Sequence, residues 1–141
     1  MDDKDGALLA HLRNDARMSV SELARRLNLS RTATQARLTR LEREGTIRGY
    51  SVILAPGVSE KRITALVMIK APPIKRRAVE SALKAMPALR SLRSVSGSHD
   101  FVAEVEAETV DALDRVLDAI GDLEGGLETL SSVVLATKVS R

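Results

Sequence analysis

The side chains best suited to chemistry in this chain lie between Ser19 and Arg40. Arg31, Thr32, Gln35, Ala36, Thr39 and Arg40 recur at spacings that place them on one side of a helix. In the major groove of duplex DNA, arginine matches guanine and glutamine matches adenine. Threonine and alanine methyls match the thymine methyl. Ser19, Ser21, Arg25 and Arg26 come just before, and hydroxyl and guanidinium groups of this kind hold phosphates. Ser30, at the start of the same helix, completes the DNA-facing set. A second cluster is Gly97-Ser98-His99-Asp100. Glycine lets the backbone come close, turn N–H groups can receive a carboxylate, and Asp100 can pair with an ammonium. Those are the two charged ends of a free amino acid. The same four residues also read as a plain turn in which Asp100 only caps backbone.

Other chemistries find little support. His11 and His99 have no ligand spacing between them and there is no cysteine, so no metal site is expected. No nucleophile elbow, phosphate loop or dinucleotide fingerprint is present, so neither a catalytic centre nor a cofactor is expected. Tyr50 and Phe101 are the only aromatic residues, which closes the stacking route to single strands and RNA. Net charge is +3, but its distribution says more. Residues 13–48 carry nine arginines against four acids, which suits phosphate contacts. Residues 61–98 carry nine basic residues against Glu80, and residues 99–130 carry ten acids against Arg115. No apolar run approaches the roughly 20 residues of a membrane span. Met1 is followed by Asp2 and Asp3, the wrong charge for a secretion leader. A cytoplasmic protein without a membrane partner is expected.

The elements that must carry these residues can be read from periodicity. Leu8, Leu9 and Leu12 form a helical stripe with acids near its start, ending at Asn14-Asp15. Ser19-Val20-Ser21-Glu22 is a capping box that opens a second helix at Val20, with Leu23, Ala24 and Leu27 inward. Asn28 tolerates a positive φ and ends it. Ser30 caps a third helix whose stripe is Leu38 and Leu41 with Ala33 and Thr34, and Glu44-Gly45 stops it. A short helix, a tight turn and a longer helix form a helix-turn-helix over residues 1–50, a reader of double-stranded DNA. Tyr50–Leu54 reads as a strand, and residues 51–62 as strand and hinge linker, with Pro56-Gly57 at a turn.

Residues 63–141 read as βαββαβ, a ferredoxin-like unit. Its parts are a strand at Ile63–Ile69, a helix over residues 75–86 and a strand at Leu89–Ser96. A third strand spans Phe101–Ala107, and Thr109 caps a helix with Val110, Leu113, Val116, Leu117 and Ile120 inward. Gly125-Gly126 breaks the chain before a last strand at Val133–Val139. The unbroken apolar run of the first strand predicts cover on both faces, the second coming from another copy of the chain.

Asp15-Ala16-Arg17, Glu22-Leu23-Ala24, Leu29-Ser30, Arg37-Leu38 with Leu41-Glu42, and Gly45-Thr46-Ile47-Arg48-Gly49-Tyr50 together resemble the N-terminal half of the Lrp/AsnC (leucine-responsive/asparagine-synthetase-regulator) family. Gly97-x-x-Asp100 resembles the ligand-sensing domain that follows in that family. The resemblance implies an α+β chain, a winged-type helix-turn-helix of three helices followed by a ferredoxin-like βαββαβ domain. Its implied function is a transcriptional regulator that senses a small amino-acid effector and assembles as dimers or octamers. Arg37 matches a family arginine that either touches phosphate or braces the fold. Thr129 and Ser131 fall where the family places hydroxyls near the effector. Glu128 stands where an arginine is frequent, His99 where an aromatic is, and Thr34 where a valine or similar residue is common, which would loosen packing slightly. An effector-independent DNA-architectural protein, and a decarboxylase-like enzyme on the same fold, stay as alternatives.

Overall fold

The computed structural model describes residues 1–55, 58 and 61–140. The chain forms two compact units, Met1–Ala55 and Pro56–Arg141.

The first unit has three helices: α1 (Asp3–Asn14), α2 (Val20–Leu27) and α3 (Arg31–Arg43). Each begins at a side-chain cap. Asp2 and Asp5 exchange bonds at the head of α1, where the Asp2 carboxylate accepts from the Asp5 N–H (2.9 Å) and the Asp5 carboxylate from the Asp2 N–H (3.0 Å). Ser19 Oγ accepts from the Glu22 N–H, and Ser30 Oγ from the Ala33 N–H. The expected capping box at Ser19 closes on one side only, because the Glu22 carboxylate turns to Arg25 and Arg26 instead. Asn28 adopts the left-handed conformation (φ 53°, ψ 51°) that lets α2 and α3 meet through a turn. Leu8, Leu12, Leu23, Leu27 and Leu41 make the core. Thr34 is fully buried with them, and its hydroxyl donates to the Ser30 carbonyl at 2.9 Å. That bond satisfies the one polar atom a buried threonine adds, so the substitution leaves no orphan.

Residues 48–55 form no helix or strand, contrary to the strand expected at Tyr50–Leu54. Ile53 is 90 % exposed and Val52 is 76 % exposed. A strand exists only with a hydrogen-bonded neighbour, and no described strand pairs with this segment in the single chain. The expected turn at Pro56-Gly57 lies outside the described residues.

The second unit is a four-stranded antiparallel sheet in the order β2-β3-β1-β4, built from β1 (Ile63–Lys70), β2 (Leu89–Ser94), β3 (Phe101–Ala107) and β4 (Glu128–Val133). Helices α4 (Arg76–Lys84) and α5 (Val110–Gly121) cross between strands, a single 3₁₀ turn leading into α4. Val79, Leu83, Leu113 and Ile120 from the helices pack on Ala65, Val67, Ile69, Phe101, Ala103 and Val105 from the sheet. Each large apolar side chain so buried contributes about 1.5–3 kcal/mol.

Two expectations are corrected here, and the face of β1 expected to meet another copy is open in the single chain. The last strand begins at Glu128, because residues 128–133 pair with Lys70–Ala65 of β1. After the Val134 N–H reaches the Thr64 carbonyl the chain runs past the end of β1, so Val133–Val139 is not a strand. Val110 is 69 % exposed rather than inward, being the first residue of its helix. In β1 only alternate residues are buried, and Leu66 is 39 % exposed on the uncovered face. Met68, Val102 and Leu130 share that face by register.

Candidate nucleic-acid interface and ligand cleft

On α3 most of the row expected to read DNA reaches solvent. Arg31, Thr32, Gln35, Ala36 and Thr39 are all exposed. Within that row Gln35 Nε2 donates to Thr39 Oγ1 at 3.2 Å. Such a contact is readily exchanged for a base edge. Ser30 and Ser19 spend their hydroxyls as caps, while Ser21 is exposed. Arg25 and Arg26 are exposed but share Glu22, with Arg26 Nε donating to Oε1 at 2.7 Å. The hydrogen bonds from Arg25 and then Arg26 hold the Glu22 carboxyl down at about 2. This trio carries one net positive charge toward phosphate rather than two.

Arg40 departs from the row. Its Nη2 donates to Asp5 at 2.8 Å and its Nη1 reaches Glu44 at 3.4 Å. Arg37 Nη1 donates to Asp2 and to Asp5, so of its two readings bracing is the one the structure displays. Asp5 is 1 % exposed and accepts from both arginines and the Asp2 N–H, a buried carboxylate with every need met. The Asp2 N–H first, then Arg40, hold its carboxyl well below the usual carboxylate range. Sequence reasoning saw these acids only as favourable charge at a helix start. The Asp2-x-x-Asp5 spacing, itself a capping box, was the signal for more.

In the second unit, Gly97 takes φ +116°, open to glycine alone at low cost, and the turn it allows is clasped by its neighbours. The Asp100 N–H donates to the Ile69 carbonyl (2.8 Å), and the Val95 N–H to the Asp100 carbonyl (3.0 Å). The Asp100 carboxylate accepts from the Ala71 N–H at 2.8 Å and from Arg76 Nη2 at 2.7 Å. Both oxygens are thus engaged in joining the turn to the β1–α4 connection. Ser98 and Asp100 line an open cleft of about 410 Å³ with Lys70, Pro72, Arg76, Leu127 and Glu128. His99 sits beside Ser98, its Nδ1 2.9 Å from the hydroxyl.

Thr129 and Ser131 lie on β4 opposite Ile69 and Val67, on the helix side of the sheet, and do not line this cleft. Sequence reasoning missed Lys70 and Arg76. Lys70 bonds Glu128 at 3.0 Å, so the negative charge of Glu128 is offset. The cleft holds two cations and two carboxylates. Neither ion pair was visible in the sequence, because 24 and 58 residues separate the partners.

Among the described residues no cluster could hold a metal ion, and no helix is long and apolar enough to cross a membrane.

Residues 1–42 match the profile of the AsnC-type helix-turn-helix domain, and residues 64–141 that of the Lrp/AsnC ligand-binding domain. An uncharacterised HTH-type transcriptional regulator of Pyrococcus abyssi is 34 % identical over 139 residues, covering 98 % of this chain and 88 % of that one. The crystal structure of the Mycobacterium tuberculosis leucine response regulatory protein LrpA superposes with TM-score 0.81 at 32 % identity, covering 99 % of this chain and 96 % of the other. A feast or famine regulatory protein from M. tuberculosis, complexed with L-methionine, superposes with TM-score 0.81 at 32 % identity over 99 % of this chain and 95 % of that one. With an AsnC-type helix-turn-helix in one unit and a ligand-domain fold in the other, the chain belongs to the Lrp/AsnC family of helix-turn-helix transcriptional regulators.

Proposed function

We propose that this regulator reads duplex DNA through Arg31, Thr32, Gln35, Ala36 and Thr39 of α3, with Ser21, Arg25 and Arg26 on phosphates. The exposed and nearly unengaged row on α3 is the observation that carries this reading. Residues 1–50 serve as the reader, 51–62 as the connector and 63–141 as the sensing and assembly domain. The open face of the sheet, with Leu66, Met68 and Leu130, supports a dimer in which two such faces cover one another. The relatives are regulators, and we read this chain too as a non-enzyme.

For the effector we propose a small zwitterionic amino acid in the Ser98–Asp100 cleft. The balance of Lys70 and Arg76 against Asp100 and Glu128 favours a neutral side chain over an acidic or basic one. The methionine complex of the similar M. tuberculosis protein supports the same class. The experiment is a thermal-shift screen of the twenty amino acids on the full chain, paired with mobility-shift titration of genomic fragments. A rise in Tm for neutral amino acids that Ser98→Ala or Lys70→Ala abolishes supports the cleft. No stabilisation at millimolar ligand rejects the effector and leaves the clasp as structure. Protection of many sites with weak sequence preference replaces the selective reader with an architectural protein.

A further inference from the structure

The first unit carries a groove that neither the base-reading row nor the phosphate-holding residues use. Gly45 (φ +74°) turns the chain back at the end of α3, and the Ile47 N–H then reaches the Leu41 carbonyl at 3.0 Å. Tyr50 is fastened to the same helix, its hydroxyl donating to Glu42 Oε1 at 2.7 Å. Between residues 46–51 and the C-terminal half of α1 lies an open groove of about 550 Å³. Leu9 and Leu12 of α1, Ile47 and the Tyr50 ring give it an apolar lining, and each wall adds one arginine, Arg13 and Arg48. A smaller cleft of about 360 Å³ shares Ala16, Tyr50 and Ser51 with it and adds Arg17. No acid lines either space. Glu42 is taken by Tyr50, and the Asp15 carboxylate accepts from the Arg17 N–H at 3.0 Å. Among the described residues Arg13, Arg17 and Arg48 make no ion pair.

An apolar lining with guanidinium groups and no carboxylate complements one kind of small molecule, a hydrocarbon body that ends in a single carboxylate. The body gains by leaving water, and the guanidinium fork matches the carboxylate in shape and charge. A free amino acid fits poorly, because its ammonium would face arginines with no acid to receive it. The cleft at Ser98–Asp100 is the opposite case, with Asp100 and Glu128 set against Lys70 and Arg76. We propose that the groove is a second small-molecule site, in the helix-turn-helix unit, and that it takes an apolar monocarboxylate. Its volume suits a small ligand. One of its walls is bonded to Leu41 and Glu42, so the occupant sits against the C-terminal end of α3. The inference stands apart from the base-reading row and from the effector cleft.

Tyr50 is the chain's one tyrosine and the chain has no tryptophan, so tyrosine emission from the full chain reports on this groove alone. The probe is octanoate, with octylamine and L-leucine as controls. Octanoate at millimolar concentration or below is expected to change the emission saturably. Octylamine, of the same length and opposite charge, and leucine, with its ammonium, should leave it unchanged. R13A/R48A is expected to weaken octanoate by about tenfold or more, while circular dichroism shows the fold retained. Lys70→Ala alters the other cleft and should keep the octanoate response, so the two sites stand or fall separately. Emission that octanoate does not move, as when a second copy covers the groove, overturns the proposal. An equal response to octylamine does the same. So does a folded R13A/R48A protein that binds octanoate like the wild type but DNA less tightly, which would assign both arginines to phosphate.

Discussion

Asp5 at the head of α1 and Arg40 on α3 are joined by a 2.8 Å charge-assisted hydrogen bond that is almost closed to solvent on the acid's side. The bond ties α3, the proposed reading helix, to α1. It also converts a side chain expected in the groove into part of the frame.

That tie has a pH signature. The folded carboxyl of Asp5 lies below its ordinary value, held there by the Asp2 N–H, Arg40 and Arg37. The unfolded chain therefore takes up this proton first as pH falls. The stabilisation is complete at neutral pH and is lost as pH drops below about 4 toward the folded value. Asp5→Asn should lower Tm at pH 7 and flatten the acid limb of the stability profile. Thermal melts from pH 7 to 2 measure both. Equal acid limbs in the two proteins would disprove the coupling.

Base reading and bracing should separate by mutation. Arg31→Ala and Gln35→Ala should each cost about 1–3 kcal/mol at a specific site and leave Tm nearly unchanged. Arg40→Ala should lower Tm instead, with selectivity among sites preserved. Mobility-shift titrations beside thermal melts give the two columns. A selectivity loss confined to Arg40→Ala would reverse the assignment.

Adjacent residues of β1 should fail differently. Val67 is 1 % exposed on the helix side, so Val67→Asp buries an unpaired charge and should prevent stable folding. Leu66 is on the open face, and Leu66→Asp should yield a folded chain that no longer dimerises there. Circular dichroism and light scattering distinguish the outcomes. A Leu66→Asp protein that keeps every contact of the wild type would remove the sheet face from the assembly.

The turn at the cleft should be sensitive to backbone alone at Gly97. A Cβ there meets nothing within 4 Å, so Gly97→Ala carries only the strain of φ +116°, about 1–3 kcal/mol. Asp100→Asn breaks the charge pair with Arg76 and should cost about 1.5–3 kcal/mol. Denaturant titration reads both. An unstrained Gly97→Ala protein would show that the turn has another conformation in solution.

Much of this protein is local chemistry and was legible in the chain order. Ser19, Ser30 and Thr109 mark helix starts because a cap acts on N–H groups two or three residues away. The apolar periodicities placed α2, α3 and β3 at or near their observed ends, because period follows from backbone geometry. The row Arg31, Thr32, Gln35, Ala36 and Thr39 was legible for the same reason: which side of a helix faces out is set by the side that is apolar. Tertiary structure decided what depends on partners distant in sequence. Arg37 and Arg40 turn inward because Asp2 and Asp5 arrive from 32 to 35 residues away. The last strand begins at Glu128 because the edge of β1 away from β3 offers its hydrogen bonds to residues 128–134, whatever the apolar run beyond them. Asp100 clasps Ala71 and Arg76 rather than standing free, because the sheet carries the β1–α4 connection to it. Hydrogen bonds and ion pairs act over about 3 Å in space, and folding alone decides which charges come that close.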